Sequence, residues 1–380
     1  MRYAGAKVLL LATRARSKKV NMKVAILGSG GIGLSTAAQL CREGHDPAVW
    51  SPSGRSTLAL ADGTPLAVTG AFDGEFDLRI AATCEEAMAD ARCVIICLPA
   101  YAHRAVMDTA AALAIPSQTM IVSSQYSLSA LYLRKLLVKR GMDVPVIAWG
   151  TTVVLGRPSG ASAVKVLSLR NRLDAATVPV SQSKAGLSLC QELFGDRFEP
   201  RRNVIAIQLS NVNPEVHLAN ALCSFTRIEK GESWDNYGHI TPAVARLIDA
   251  LDLERLAIAK AFDVEVRTIG EHMSLSFDLP ALPLAEVARL VCERGGAPGP
   301  ASLDARWMRE DLAFGILPNI ALAEVAGVEV PLHRAGFELF STLLGRDLSA
   351  DNDLLAGLEI GDHSVESLML SATEPEECSS

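Results

Sequence analysis

The chain has 380 residues, of which 49% are hydrophobic and 21% charged. That composition can fill one or two cores and excludes a disordered chain, and the length fits two domains. Acidic residues number 43 against 36 basic, a formal net charge of -7, and aromatics are 5%. This excludes a general nucleic-acid binder, which needs a positive surface and stacking side chains.

No apolar run reaches the 18 or more residues of a transmembrane helix, so no membrane partner is expected. The N-terminal stretch 1–21 carries the short run Val8 to Ala12, followed by Arg14, Arg16, Lys18 and Lys19. A signal peptide has the opposite order, so these residues read as an extension before a domain that begins near Met22. The eight cysteines are scattered and mostly sit in apolar runs. Cys93 and Cys97 flank Val94-Ile95-Ile96 with no second pair to complete a metal site. They read as buried thiols in a reducing, cytoplasmic setting, with no metal.

Residues 23–28, Lys-Val-Ala-Ile-Leu-Gly, predict a strand running into Gly28-Ser29-Gly30-Gly31-Ile32-Gly33. A helix follows from Leu34 to Glu43, then a strand at Ala48-Val49-Trp50. Strand, GxGxxG turn, helix and strand together form the dinucleotide-binding fingerprint. The first glycine permits the turn, the second lets main chain approach a pyrophosphate, and the third lets helix and strand pack. The end of the second strand normally carries Asp or Glu for the ribose hydroxyls. Here it reads Trp50-Ser51-Pro52-Ser53-Gly54-Arg55. Ser51, Ser53 and an arginine able to pair with a 2′-phosphate predict NADP, with NAD as the alternative.

Strands are predicted at Leu78–Ala81, Arg92–Leu98, Met120–Ser123 and Val144–Trp149. Short β-rich segments between 151 and 182 would close the domain. Pro99, at the carboxyl end of its strand, lies where ligands of open α/β sheets gather; His103 reads as the start of a helix. From about residue 184 long helical patterns take over: Gly186–Phe194, Leu209–Phe225, Pro242–Phe262, Leu284–Arg294, Ile316–Ala326 and Pro331–Leu344. The expected architecture is an α/β Rossmann dinucleotide-binding domain over 22–183, an all-helical catalytic domain over 184–370 and an acidic tail over 371–380.

Asn213, His217 and Asn220 recur at i, i+4 and i+7, a polar stripe on an apolar helix. Asn213 would also serve as N-cap before Pro214. A second polar cluster runs Arg306-Trp307-Met308-Arg309-Glu310-Asp311. Its pattern alone does not separate a surface ion-pair network from part of a site.

These segments resemble the NAD(P)-dependent opine dehydrogenases, the octopine/nopaline dehydrogenase group. Asn211-Val212-Asn213-Pro214-Glu215-Val216-His217 resembles that family's Asn-Pro-x-x-His segment. Tyr237-Gly238 and Leu253-Glu254-Arg255 resemble its Tyr and Asp-x-Glu-Arg elements. The run Arg309 to Pro318 resembles Glu-Asp-x-x-x-Gly-Leu-Val-Pro, and Ala323 to Pro331 resembles the segment after it. The resemblance implies a histidine–aspartate pair, His217 and Asp311. It also implies reductive condensation of an amino acid with a 2-oxo acid through an imine, pyruvate being the first oxo acid to try. Asn220 is then a candidate for substrate or nicotinamide ribose, Asn213 a candidate for substrate, and one of Arg246, Arg306 and Arg309 for a substrate carboxylate. The chain departs from the family pattern at Arg306-Trp307, at His333 in place of an acidic residue, at Ser349 to Asp353, and at Gly150-Thr151-Thr152 in place of Cys-Arg. Rival readings are a ketopantoate-reductase-like or 6-phosphogluconate-dehydrogenase-like enzyme, which would use a lysine (Lys184, Lys230 or Lys260), and a non-catalytic NADP-binding sensor. A homodimer is expected through the apolar helices after residue 316.

Overall fold

The computed structural model describes residues 21–374, so residues 1–20 of the expected extension and 375–380 of the expected tail lie outside the described residues. Twelve strands are present: β1 (Lys23–Leu27), β2 (Asp46–Trp50), β3 (Leu66–Gly70), β4 (Gly74–Phe76), β5 (Arg79–Ile80), β6 (Cys93–Ile96), β7 (Thr119–Ser123), β8 (Val146–Trp149), β9 (Val154–Gly160), β10 (Ala163–Leu169), β11 (Leu173–Val178) and β12 (Phe198–Pro200). Eight form the main sheet in the order β12-β11-β8-β7-β6-β1-β2-β5. Every neighbouring pair is parallel except β11 against β8.

The central strands are apolar on both faces, as a parallel sheet covered on both sides requires. Val24, Ile26, Cys93, Ile95 and Cys97 enter one core; Ala25, Leu27, Val94 and Ile96 enter the other. The period-2 reading of Cys93 and Cys97 therefore holds, and both are buried free thiols. The second core runs without a break into the helical part of the chain.

Two features depart from the sequence reading. The segments expected to close the domain are divided between sheets: β9 and β10 join β3 and β4 in a second, four-stranded sheet ordered β4-β3-β10-β9. Strands β3 and β4 were not expected. Strand β9 lies against helix Gly31–Arg42, where a Cβ on Gly156 would overlap Ser35 and the Gly31 carbonyl. The helix expected to open the helical domain at about residue 184 also lies against the main sheet. Helix Ser183–Phe194 packs beside β11 and β12, and β12 pairs with β11 in the main sheet. Helix Val204–Ser210, capped by the Asn203 side chain on the Ala206 N–H, follows and also packs on β11.

The helical domain holds more than the six helices expected, among them Asn213–Cys223, Pro242–Ala261, Ile269–Ser276, Leu284–Glu293, Leu317–Ala326, Pro331–Leu344 and Val365–Thr373. The last takes in Ser371–Thr373, which had been assigned to the tail. The helical segment expected over Leu209–Phe225, with an interruption at Pro214, breaks at Asn211-Val212. Helix Asn213–Cys223 has Val212, not Asn213, at its N-cap, and the Asn211 side chain accepts from the Asn213 N–H at 3.2 Å. No described helix is long and apolar enough to cross a membrane.

Candidate active site

The nucleotide cradle forms at the carboxyl ends of β1 and β2. Gly28 has φ 123°, and a Cβ there would overlap the Cys97 carbonyl, while one on Gly33 would overlap the Gly28 carbonyl. These two glycines close the turn. Gly30 faces open space, at the mouth of the unpaired N–H groups that begin helix Gly31–Arg42, where a pyrophosphate fits. Gly31 is occupied otherwise: a Cβ there would strike Gly156 and Arg157 of β9. Ile32 packs partly buried against the adjoining core.

Past β2, Ser51 to Gly54 make a turn with Gly54 at φ 64°, and exposed Arg55 begins a short 3₁₀ turn. The Ser29 and Ser56 hydroxyls join this loop to the glycine turn. Arg55 has no ion-pair partner among the described residues, and Ser51 to Ser56 contain no carboxylate. Pro99 leads into the turn Ala100–Ala102. His103 begins the following helix and is fully buried, its Nε2 2.9 Å from the Leu98 carbonyl; burial pushes its pKa down to about 4.

The second half of the site sits on the helical domain. Residues Trp307–Ile316 form a π-helix that continues into helix Leu317–Ala326. Pro318 has no N–H to offer the preceding turn. The Ala313 carbonyl accepts instead from Asn352 Nδ2 at 2.7 Å, and the Phe314 carbonyl from the Ser127 N–H at 3.2 Å and Ser127 Oγ at 3.0 Å. Gly315 lies so close to Pro214 that a Cβ would overlap its ring. That contact lays the π-helix along helix Asn213–Cys223, with Asp311 and His217 each about one turn from the crossing.

The result is a hydrogen bond of 2.8 Å between His217 Nδ1 and Asp311 Oδ2, across 94 residues of sequence. The imidazole stacks on Trp307 with ring centroids 3.8 Å apart and planes 9° apart. His217 keeps 17% of its side-chain surface, whereas Asp311 keeps 4%. No described residue hydrogen-bonds to Nε2 of His217, so that nitrogen is the one free to exchange a proton. The other Asp311 oxygen accepts from the Tyr126 hydroxyl at 2.7 Å. Burial, then the charges of Asp311 and Glu310, push the Tyr126 pKa well above its ordinary value, so it remains a donor. Tyr126 arrives from the loop after β7, held by consecutive left-handed residues Ser127 (φ 49°) and Leu128 (φ 53°).

Next to the pair, buried Glu310 accepts from the Ala100 N–H at 2.7 Å and pairs with Arg306 Nε. Burial raises the Glu310 pKa, with Arg306 pulling against it. Arg306 itself is held firmly charged: burial works against its charge, but Glu310, Tyr126 and Asp311 outweigh it. Its side chain is 60% exposed. Of the other arginines singled out from sequence, Arg309 lies over the Tyr101 ring at 4.9 Å. Arg246 is exposed on helix Pro242–Ala261, with no hydrogen bond or ion pair tying it to the site. Asn213 is also exposed. Asn220 is fully buried and spends its amide N–H groups on the Asn236 main-chain and side-chain oxygens at 2.8 and 2.6 Å. It anchors the segment that carries Trp234 and Tyr237; Trp234 meets Trp307 edge-on at 6.4 Å, and Tyr237 meets Phe277 edge-on at 5.3 Å. The polar stripe thus does three separate things.

Sequence reasoning missed Tyr126, although its place after β7 is where ligands gather in such sheets. It also missed the stacking role of Trp307 and the link Glu310 makes to Ala100. A further buried network lies behind the catalytic helix. Nδ1 of His333 is 2.7 Å from Glu254 and Nε2 is 3.3 Å from Glu215, which also accepts from Asn319 at 2.8 Å. Lys184, Lys230 and Lys260 are all exposed. Among the described residues no group of three or more His, Cys, Asp or Glu side chains is placed to hold a metal ion.

Comparison with known proteins agrees with this division. Residues 200–344 match the NAD/NADP octopine/nopaline dehydrogenase, alpha-helical domain, and residues 24–151 match the ketopantoate reductase PanE/ApbA family. The opine dehydrogenase of Arthrobacter sp. (strain 1C) is 28% identical over 342 residues, covering 88% of this chain and 94% of that protein. An octopine dehydrogenase solved with NADH and agmatine shares the fold at a TM-score of 0.78 and 16% identity, over 94% of this chain and all of that one. A yersinopine dehydrogenase solved with NADP+ does so at 0.72 and 18%, over 92% and 99%. Residues 200–344 thus carry the octopine/nopaline dehydrogenase alpha-helical domain, and over most of its length the chain is similar to opine dehydrogenases.

Proposed function

We propose that this enzyme uses NADPH to join an amino acid to a 2-oxo acid by reductive condensation. The observation that carries the reading is the His217–Asp311 pair, with Nε2 of His217 free and Arg306 close by on the Asp311 segment. The amine attacks the carbonyl carbon, the carbonyl oxygen leaves as water, and a C=N bond forms. His217 can give a proton to that oxygen and take one back, while Asp311 fixes the ring and balances the imidazolium charge. Asp311 is kept an acceptor by the Tyr126 hydroxyl. The nicotinamide supplies the hydride that reduces the C=N carbon. Arg306 holds the oxo-acid carboxylate through its outer guanidinium nitrogens, its Nε being paired with Glu310.

Preference for NADPH rests on Ser51, Ser53 and Arg55 and on the missing carboxylate after β2. A 2′-phosphate would lie beside an arginine that has no ion-pair partner among the described residues. The match of residues 24–151 to the ketopantoate reductase family favours a second reading, a reductase of a lone oxo acid. The helical half argues against it, since its lysines are exposed and its buried polar pair is histidine and aspartate. The test is NADPH oxidation with amino acids paired with 2-oxo acids, pyruvate first. Turnover that needs both partners supports condensation. Turnover on an oxo acid alone supports the reductase instead, and equal use of NADH defeats the cofactor assignment.

A further inference from the structure

Arg170 follows β10 at the turn into β11, and its N–H donates to the Val153 carbonyl at 3.0 Å. Because β11 runs antiparallel to β8, with Ala175 opposite Trp149, this turn lies at the carboxyl edge of the main sheet, beside Gly150-Thr151-Thr152. Two other arginines share one carboxylate there. Asp174 binds Arg201 at 2.8 Å and Arg267 at 3.1 Å. Arg170 gets none of it: no carboxylate pairs with Arg170 among the described residues, and its Nε is buried without a hydrogen-bond partner. The ionisable group acting on Arg170 is the Tyr237 phenol, from the helical domain. Tyr237 adjoins Asn236, which Asn220 anchors three residues along the helix from His217.

An arginine taken out of water without a counter-ion is costly unless a ligand completes it. Arg170 thus brings positive charge, paired with no carboxylate among the described residues, from the nucleotide-binding domain toward the Tyr237 segment of the helical domain. The condensation product is a secondary amine with a carboxylate on each side, and Arg306 can answer for one of them.

We propose that Arg170 is the second anion anchor, binding a carboxylate of the amino donor. This rests on the condensation reading above. The α-carboxylate and an acidic side chain offer the same chemistry, and the assay separates them.

The substitutions are Arg170→Gln and Arg170→Lys. Losing one charge-assisted hydrogen bond should raise the amino-donor KM about 10- to 100-fold in Arg170→Gln, with the KM values for oxo acid and NADPH within about twofold and thermal stability unchanged. Arg170→Lys should fall between. A rise shared by neutral and acidic donors assigns the α-carboxylate; a rise confined to glutamate and aspartate assigns the side chain. Iminodiacetate, a secondary amine flanked by two carboxylates, gives a readout independent of turnover. Its binding to the NADPH-loaded enzyme, followed by tryptophan fluorescence, should weaken by the same factor in Arg170→Gln. Equal iminodiacetate affinity in the two proteins, or an unchanged amino-donor KM, overturns the proposal. If no amino acid turns over with any oxo acid but iminodiacetate binding still depends on Arg170, the condensation reading fails and the anion site stands.

Discussion

His217 and His333 are both histidines hydrogen-bonded to carboxylates on neighbouring helices, yet they are built for different work. His217 has one acid partner, a stacked tryptophan, one free ring nitrogen and residual exposure. His333 has both nitrogens engaged by Glu254 and Glu215 and no exposure. Burial disfavours its charge, but the two carboxylates override burial and raise its pKa to about 9. A proton on His333 is locked in, while Nε2 of His217 has no hydrogen-bond partner among the described residues. Proximity of histidine to carboxylate therefore does not mark catalysis; a nitrogen left open toward the cleft does.

The sharpest way to break this contrast is to remove each imidazole in turn. His217→Asn should lower kcat by about 10²–10⁴, the scale of a general acid–base contribution, while urea unfolding stays near wild type. Asp311→Asn should follow it, since the ring loses both orientation and a balancing charge. His333→Gln should do the reverse. Breaking a buried ion pair from one side costs about 3–5 kcal/mol of stability, and the folded fraction should keep kcat within a few-fold. Loss of turnover in a stably folded His333→Gln protein would move His333 into the catalytic machinery.

A smaller effect tests the same difference through pH. The folded-state pKa of His333 lies near 9, above its ordinary 6.5. Its contribution to stability is therefore complete below pH 6.5 and fades as the pH rises through about 9. Glu254 acts in the opposite sense. Burial opposes its ionisation, but hydrogen bonds from His333 and from the Leu332 and His333 N–H groups hold its pKa below the ordinary 4.5. Its contribution is present above that value and fades in acid. Unfolding free energy measured against pH should be highest between about 4.5 and 6.5 for this network and should decline toward pH 9. In His333→Gln the alkaline decline should flatten; an unchanged decline would show that the proton on His333 is not what the network holds.

The two halves of the site also differ in how far the sequence reveals them. The cradle is contiguous: strand, glycines and helix lie within residues 23–42, with Gly28, Gly31 and Gly33 explained by the main chain they touch and Gly30 by the open space it faces. The dyad joins residues 94 apart, so family resemblance, not spacing, brought His217 and Asp311 together. The polar stripe misled in part because helical periodicity gives a face but not its neighbours. Asn220 turned out to face Asn236, and Asn213 faces solvent. Strands β3 and β4 escaped notice because they are short and depend on β10, whose sequence lies nearly a hundred residues on. Helix Ser183–Phe194 looks in sequence like those after it, and only the three-dimensional structure shows it packed on β11 and β12.

Tyr126 offers the finest test, because it touches the dyad without facing the substrate. Its hydroxyl donates to the Asp311 oxygen that His217 does not use, and a hydrogen bond to a carboxylate favours the charged form. Tyr126→Phe removes that donor and leaves the ring packed in the same core. Asp311 then holds its negative charge in a site stripped of one compensating dipole, so it pulls harder on the Nδ1 proton of His217 and favours the imidazolium. Condensation uses the protonated ring, so the alkaline limb of the kcat/KM profile should move to higher pH. Turnover at the new optimum should drop only about tenfold, with KM for NADPH unchanged. A Tyr126 that merely filled space would lower stability without moving the limb, and a limb that stays in place would reduce the hydroxyl to packing.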